Sequence, residues 1–99
     1  MQNRNTQDWF VYMLRCADDS IYTGISTDVD RRIEEHNGKG KKGAKALKGK
    51  RPVKLAWKSE KLSSRGEASK LEYALKKLRK TEKERIVQGV GPIPFKKQS

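Results

Sequence analysis

Eight residues near the start of the chain, Trp9 to Cys16 (WFVYMLRC), are aromatic, branched or long and apolar except for Arg15. Aromatic and β-branched residues favour a pleated, buried backbone, so this run reads as a strand. Alternation places Phe10, Tyr12, Leu14 and Cys16 on one face and Trp9, Val11 and Met13 on the other. Neither face is polar, and the strand is therefore expected to be covered on both sides. A chain of 99 residues, only 33% of them hydrophobic, has room for one domain and one modest core. Whatever it folds into has to accommodate this strand.

The remaining elements follow from local signals. Ala17 to Ser20 is a turn, Ile21 to Ile25 a second strand, and the short separation predicts an antiparallel hairpin. Thr27 is the expected cap of a first helix, with Asp30 three residues on and Asp28 near the positive helix end. Val29, Ile33 and His36 recur at helical spacing, and Asn37-Gly38 is a stop. Residues 38–51 (GKGKKGAKALKGKR) contain no acid and read as a mobile basic loop ended by Pro52. Val53 to Trp57 alternates like a third strand. Ser64 and Glu67 form a Ser-x-x-Glu capping signature before a helix whose apolar stripe is Ala68, Leu71, Ala74, Leu75 and Leu78. Thr81 and Glu84 repeat that signature, which predicts a break at Lys80 and a short helix from Thr81 to Val87. The expected architecture is α+β, a small three-stranded antiparallel sheet flanked by helices in the order β-β-α-β-α-α. Residues 1–8 read as a polar tail, 9–88 as the domain, and 89–99 as a basic tail.

Charge narrows the partners. Lysine and arginine number 24 against 12 acids, a formal net charge of +12 that draws the chain to polyanions. Nucleic acid is the leading candidate, because each phosphate neutralised releases counterions. An anionic membrane is the rival, but no run approaches the roughly 20 apolar residues of a span, and Met1 to Asp8 lacks the apolar core of a signal peptide. One cysteine, Cys16, cannot form an internal disulfide, which suits a reducing cytoplasm. With one cysteine and one histidine a zinc finger is excluded.

The hairpin carries a tyrosine on each strand, Tyr12 and Tyr22. The first helix carries Arg32 and His36 four apart on one face, and the later helix carries Glu72 beside its apolar stripe. Cleavage of a phosphodiester needs a group to activate the nucleophile, a cation for the developing charge and, commonly, a carboxylate-held divalent metal. Tyr12 or His36, Arg32 and Glu72 match those roles. Each residue also has a plain structural reading. A strand tyrosine is often core, and His36 sits where a helix-end histidine meets the last carbonyls. Arg32 is a solvated charge beside Arg31, and Glu72 is a surface partner of Lys76.

The ordered set is more specific than its members. Val11-Tyr12, followed ten residues later by Tyr22-Thr23-Gly24, resembles the two half-motifs that name the GIY-YIG nuclease family. Arg32 to His36 looks like that family's Arg-x3-His helix, and Glu72 falls where the family places its metal-binding glutamate. The resemblance spans roughly Trp9 to Val87 and is nearest to small stand-alone bacterial members. It implies hydrolysis of a nucleic-acid strand, with DNA the expected substrate, assisted by one Mg²⁺ or Mn²⁺ held by Glu72. Tyr12 would act as the base or orient the attacking water, with help from His36. Tyr22 would hydrogen-bond near the scissile phosphate, and Arg32 would stabilise the transition-state charge. Gly24 would let backbone and phosphate approach. Lys39, Lys41, Lys42, Lys45, Lys48, Lys50 and Arg51 of the basic loop would hold the phosphate backbone, positioning it without reading sequence. Substrate preference would then come from DNA shape or a partner protein, with a place in DNA repair or recombination. Phe10 stands where the first motif has glycine, and no asparagine follows Asn37, although many family nucleases have one after the glutamate helix. On these departures rests the alternative, a nucleic-acid-binding module of the same fold with little or no catalysis.

Geometry adds a requirement of its own. Paired residues in an antiparallel hairpin have a constant sum, and two even-numbered tyrosines share a face only if that sum is even. A two- or four-residue turn centred on Asp18-Asp19 makes it odd. A shared site therefore demands a three-residue loop, such as Asp18-Asp19-Ser20, or a bulge.

Overall fold

The computed structural model describes residues 8–38, 47 and 49–94. Its elements are β1 (Phe10–Arg15), β2 (Ile21–Ser26), α1 (Val29–His36), β3 (Lys54–Lys58), α2 (Arg65–Lys76) and α3 (Lys80–Val87). The strands form one antiparallel sheet in the order β2-β1-β3. The expected α+β arrangement is the observed one.

Placing β1 in the middle explains its two apolar faces. Val11 and Met13 pack with Ala68, Leu71, Leu75 and Ile86 of α2 and α3. Tyr12, Leu14 and Cys16 pack on the other side with Val29 of α1, Leu47 and Val53. Residues Val11 to Leu14 are essentially inaccessible to water, and each fully buried aliphatic or aromatic side chain contributes about 1.5–3 kcal/mol.

The hairpin has the even parity. Phe10 pairs with Ser26, Tyr12 with Gly24 and Arg15 with Ile21. The pairing continues one step further, where the Cys16 amide donates to the Ser20 carbonyl at 2.9 Å. The loop is thus three residues, Ala17-Asp18-Asp19, one position earlier than the segment expected. Its last residue, Asp19, has φ 73°, the left-handed conformation a three-residue hairpin loop needs. Asp18 Oδ1 accepts the Ser20 amide at 3.0 Å and braces the turn.

Several expected boundaries move, each for a local reason. The cap of α1 is Asp28, not Thr27: Ser26 Oγ accepts the Asp28 amide at 2.9 Å, and Asp28 Oδ1 accepts the Arg31 amide at 3.1 Å. The carboxylate is the stronger acceptor at the positive helix end. Ser64 caps α2 as expected, accepting the Glu67 amide at 3.1 Å, but Glu67 reaches back to the Ser63 amide rather than to Ser64. For α3 the Thr81–Glu84 signature does not operate. The helix begins at Lys80, Glu82 accepts the Arg79 amide at 2.9 Å, and Glu84 is taken by Arg15 and Lys80.

The third strand begins one residue later than expected because Val53 has another partner. The Asn37 side chain accepts the Val53 amide at 2.7 Å and donates to its carbonyl at 2.9 Å, standing in for a neighbouring strand. Between Leu55 and Trp57 the pairing with β1 shifts by one residue, a bulge that turns Trp57 toward the α2 layer. In the stretch read as a basic loop, Leu47 is buried against Leu14 and Val53, and the Lys50 carbonyl accepts the Ala17 amide at 2.9 Å. Lys39, Lys41, Lys42, Lys45 and Lys48 lie outside the described residues. Among the described residues no helix is long and apolar enough to cross a membrane.

Just past β3, Ser59 completes the ladder with its side chain. Its Oγ accepts the Val11 amide at 3.0 Å, while its own amide donates to the Val11 carbonyl at 2.8 Å. Replacing Ser59 with alanine strands the Val11 amide inside the core and is expected to cost about 1–3 kcal/mol. Urea unfolding should show a lower midpoint with an unchanged slope.

Candidate functional site

Even parity puts Tyr12 and Tyr22 on the same face of the hairpin as diagonal neighbours, since Tyr12 opposes Gly24 and Leu14 opposes Tyr22. Helix α1 crosses that face and ends at His36. Three rings converge: Tyr12 and Tyr22 lie 6.5 Å apart between centroids, Tyr12 and His36 6.0 Å, and Tyr22 and His36 5.3 Å edge to face. At the centre the Tyr12 hydroxyl and His36 Nε2 are 2.8 Å apart.

Gly24 makes this possible from beneath. A Cβ at position 24 would stand 2.5 Å from the Tyr12 hydroxyl and 2.7 Å from Cζ. The hydroxyl end of the phenol ring therefore lies over the glycine, in space that any other residue would fill. Tyr12 is 1% exposed and has no room to retreat. In this structure the resident neighbour of Gly24 is the tyrosine itself, so the glycine serves the ring before any phosphate. Expected for Gly24→Ala is a loss of about 1–3 kcal/mol from overpacking, seen in urea unfolding, with displacement of the Tyr12 ring.

The electrostatics keep both partners uncharged. Burial pushes the His36 pKa down to about 4, with Arg32 and Arg51 adding to the shift and Glu35 opposing it. His36 is thus neutral at pH 7, and in the tautomer that carries its proton on Nδ1 its Nε2 accepts from the phenol. Burial likewise pushes the Tyr12 pKa far above its usual value; Tyr22 and Glu72 push the same way, and Arg32 opposes them. Arg32 itself hydrogen-bonds to Tyr12 and pairs with Glu35 at 2.7 Å. Burial works against its charge, but Glu35 and Tyr12 outweigh that and raise its pKa.

Of the candidates read from the sequence, Tyr12, Tyr22, Gly24, Arg32 and His36 come together. Arg51 joins them: its guanidinium would lie 3.3 Å from a Cβ at Gly38, and its charge reaches His36. Lys50 points elsewhere, its Nζ 3.8 Å from Asp18 Oδ2 in the hairpin loop. Glu72 belongs to the opposite layer, on α2, yet its charge is felt at Tyr12. It is partly exposed and pairs with Lys76 at 3.1 Å. Among the described residues no group of three or more His, Cys, Asp or Glu could enclose a metal ion. A single carboxylate still fits Mg²⁺, which commonly keeps several waters and takes further ligands from substrate phosphates. Glu35 was not singled out in the sequence, although its spacing from Arg31 and Arg32 is the signal of helical ion pairs.

The profile of the GIY-YIG catalytic domain matches residues 8–85. The chain belongs to the GIY-YIG family. A UPF0213 protein of Vibrio cholerae is 48% identical over 85 residues, covering 86% of this chain and 82% of that protein. The UPF0213 protein YhbQ of Escherichia coli is 48% identical over 84 residues, covering 84% and 81%. Two solution structures share the fold. The UPF0213 protein BH0048 of Bacillus halodurans has a TM-score of 0.53 at 41% identity, over 86% of this chain and 87% of its own. The protein EF2693 of E. faecalis has a TM-score of 0.55 at 38% identity, over 90% of each chain. The GIY-YIG domain places the chain in a nuclease superfamily.

Because the chain has one histidine, its titration is readable directly. The His36 ring resonances in a proton NMR titration are expected to move near pH 4. The folded-state pKa lies below the unfolded value, so the unfolded chain binds the proton first. Stability from this group is full above about pH 6.5 and falls as pH drops toward 4, by on the order of 3 kcal/mol. Glu84, held near pKa 2 by its hydrogen bonds with Arg15 and Lys80, acts in a separate window, from about pH 4.5 downward. A His36→Phe variant should lose the upper window and keep the lower one.

Proposed function

We propose that this GIY-YIG domain is an endonuclease that hydrolyses phosphodiester bonds of DNA with one divalent metal ion, in the setting of DNA repair or recombination. The observation that carries the reading is the 2.8 Å contact between the Tyr12 hydroxyl and a buried, neutral His36. A phenol with a raised pKa is a poor base alone. Because burial disfavours both an isolated phenolate and an imidazolium, the phenol hands its own proton to His36 Nε2 only in concert with taking one from the attacking water. Arg32, already bonded to Tyr12, supplies positive charge to the phosphoryl oxygens as negative charge builds. Tyr22 offers its hydroxyl to a non-bridging oxygen. Glu72 would hold Mg²⁺ or Mn²⁺, which when bound supplies Lewis-acid stabilisation of the phosphate, and Lys76 has to yield the carboxylate to it. Arg51 and the lysines of the preceding segment would hold the strand through its backbone.

A second reading, a nucleic-acid-binding module with little or no catalysis, draws on the pairing of Glu72 with Lys76 and on the absence of an asparagine after α2. Nicking of plasmid, flap and junction DNA with and without Mg²⁺ or Mn²⁺ separates the two. For the nuclease, Tyr12→Phe should lower kcat by about 10²–10⁴ and Arg32→Ala by roughly 10²–10³, while Glu72→Ala removes the metal-dependent signal. Binding without cleavage on every substrate would leave only the second reading.

A further inference from the structure

Arg32 also lines a cavity of about 370 Å³ that the catalytic reading does not use. Trp9, Ile25, Arg31, Glu35 and Arg65 line it with Arg32, so that α1, the end of β2 and the start of α2 converge there. Three guanidiniums face one carboxylate, which makes it a place for an anion. Glu35 is shared between two of them, 2.7 Å from Arg32 and 3.8 Å from Arg31. The Arg31 side chain is 65% exposed, and at 3.8 Å its ion pair is long enough to yield to a better acceptor. Arg65 is held differently, 5.8 Å above the Trp9 ring, a contact that fixes its direction without using its hydrogen-bond donors. A planar fork so placed suits a phosphate, which it can grip bidentately. Trp9 and Ile25 are half-buried and give the cleft an apolar floor on which a sugar can rest.

The position of the cleft relative to the tyrosines determines what the anion is. Strand β2 lies at the sheet edge, with α1 on one face and α2 on the other. Arg65 and Glu72 are seven residues apart on α2, two turns along one helix face and roughly 10 Å in rise. A nucleic-acid strand passing the β2 edge would meet Glu72, Arg32 and the tyrosines at one phosphate and the Arg31–Arg65 cleft further along. Successive phosphates of one strand are spaced by more than the ~3.4 Å axial rise, so that separation corresponds to about one to three nucleotides.

We propose that the Arg31–Arg65 cleft is a second phosphate subsite, gripping the backbone of the same strand within about three nucleotides of the scissile phosphate. The proposal rests on the nucleic-acid reading of the site and gives it a direction along the β2 edge. Arg31 and Arg65 bind and register the strand; they do not take part in the chemistry.

The test is binding of a fluorescent branched DNA by the full chain in EDTA, followed by anisotropy from low to high salt. In the Arg31→Ala/Arg65→Ala double variant the slope of log affinity against log salt should flatten by about one unit, the value of one phosphate. The control, Lys70→Ala/Arg85→Ala, loses the same charge from exposed positions on α2 and α3 and should keep the original slope. A methylphosphonate walked along the strand should weaken binding by the unmodified chain at a position within about three nucleotides of the cut and have no effect there in the cleft variant. Equal flattening in both variants, or none in the cleft variant, overturns the subsite. Should the unmodified chain bind no DNA at any salt, the nucleic-acid reading falls first and the cleft falls with it.

Discussion

The Tyr12 hydroxyl meets His36 inside the protein, between the central strand and the end of the helix that covers it, and both are almost wholly shielded from bulk solvent in the free domain. A buried phenol and a buried imidazole each carry a desolvation cost that hydrogen bonding has to offset, and their mutual bond does so for both at once. That requirement fixes the seat of α1 on the sheet and the depth to which its last turn sinks. It also calls for a residue without a side chain opposite Tyr12, which is Gly24. Arg32, one turn back from His36, is carried to the phenol by the same seating. The polar centre of the domain is thus a packing element first, and its chemistry is a property of how that packing is satisfied.

Around this centre the charges divide into two groups with different work. Arg15, Glu84, Lys80 and Asp19 tie the hairpin loop to α3, away from the tyrosines. Arg31, Arg32, Glu35 and Arg65 gather at the β2 edge. The net charge of +12 says only that the chain attracts polyanions; the fold decides which cations face a strand and which hold the fold together.

Much of this was legible in the sequence because it rests on periodicity. The two apolar faces of Trp9–Cys16 required cover on both sides, and the observed clusters divide the residues that way. The spacing of Val29, Ile33 and His36 placed the histidine on the buried face of α1. Parity alone demanded a three-residue loop if the tyrosines were to meet. What escaped were contacts between residues distant in sequence. Nothing local distinguishes Asn37 as a helix stop from Asn37 as the partner of the Val53 backbone, and Leu47 among lysines and glycines gives no period to read. Glu84 looked like a capping residue because Arg15, its partner, lies 69 positions away. Thr27 and Asp28 are both good caps, and only the hydrogen bond that the Asp28 amide donates to Ser26 Oγ decides between them.

The hairpin loop has a further consequence. Since β1 is apolar on both faces, sliding it by one residue against β2 would exchange one greasy surface for another, and solvation would object little. What opposes the slip is the loop, through the left-handed Asp19 and the Asp18 brace. Ala17, Asp18 and Asp19 touch no candidate catalytic group, yet their number sets which side of the sheet each tyrosine occupies. The length of this loop therefore matters to the site through parity alone: a single insertion or deletion would leave a well-packed domain with its two tyrosines back to back.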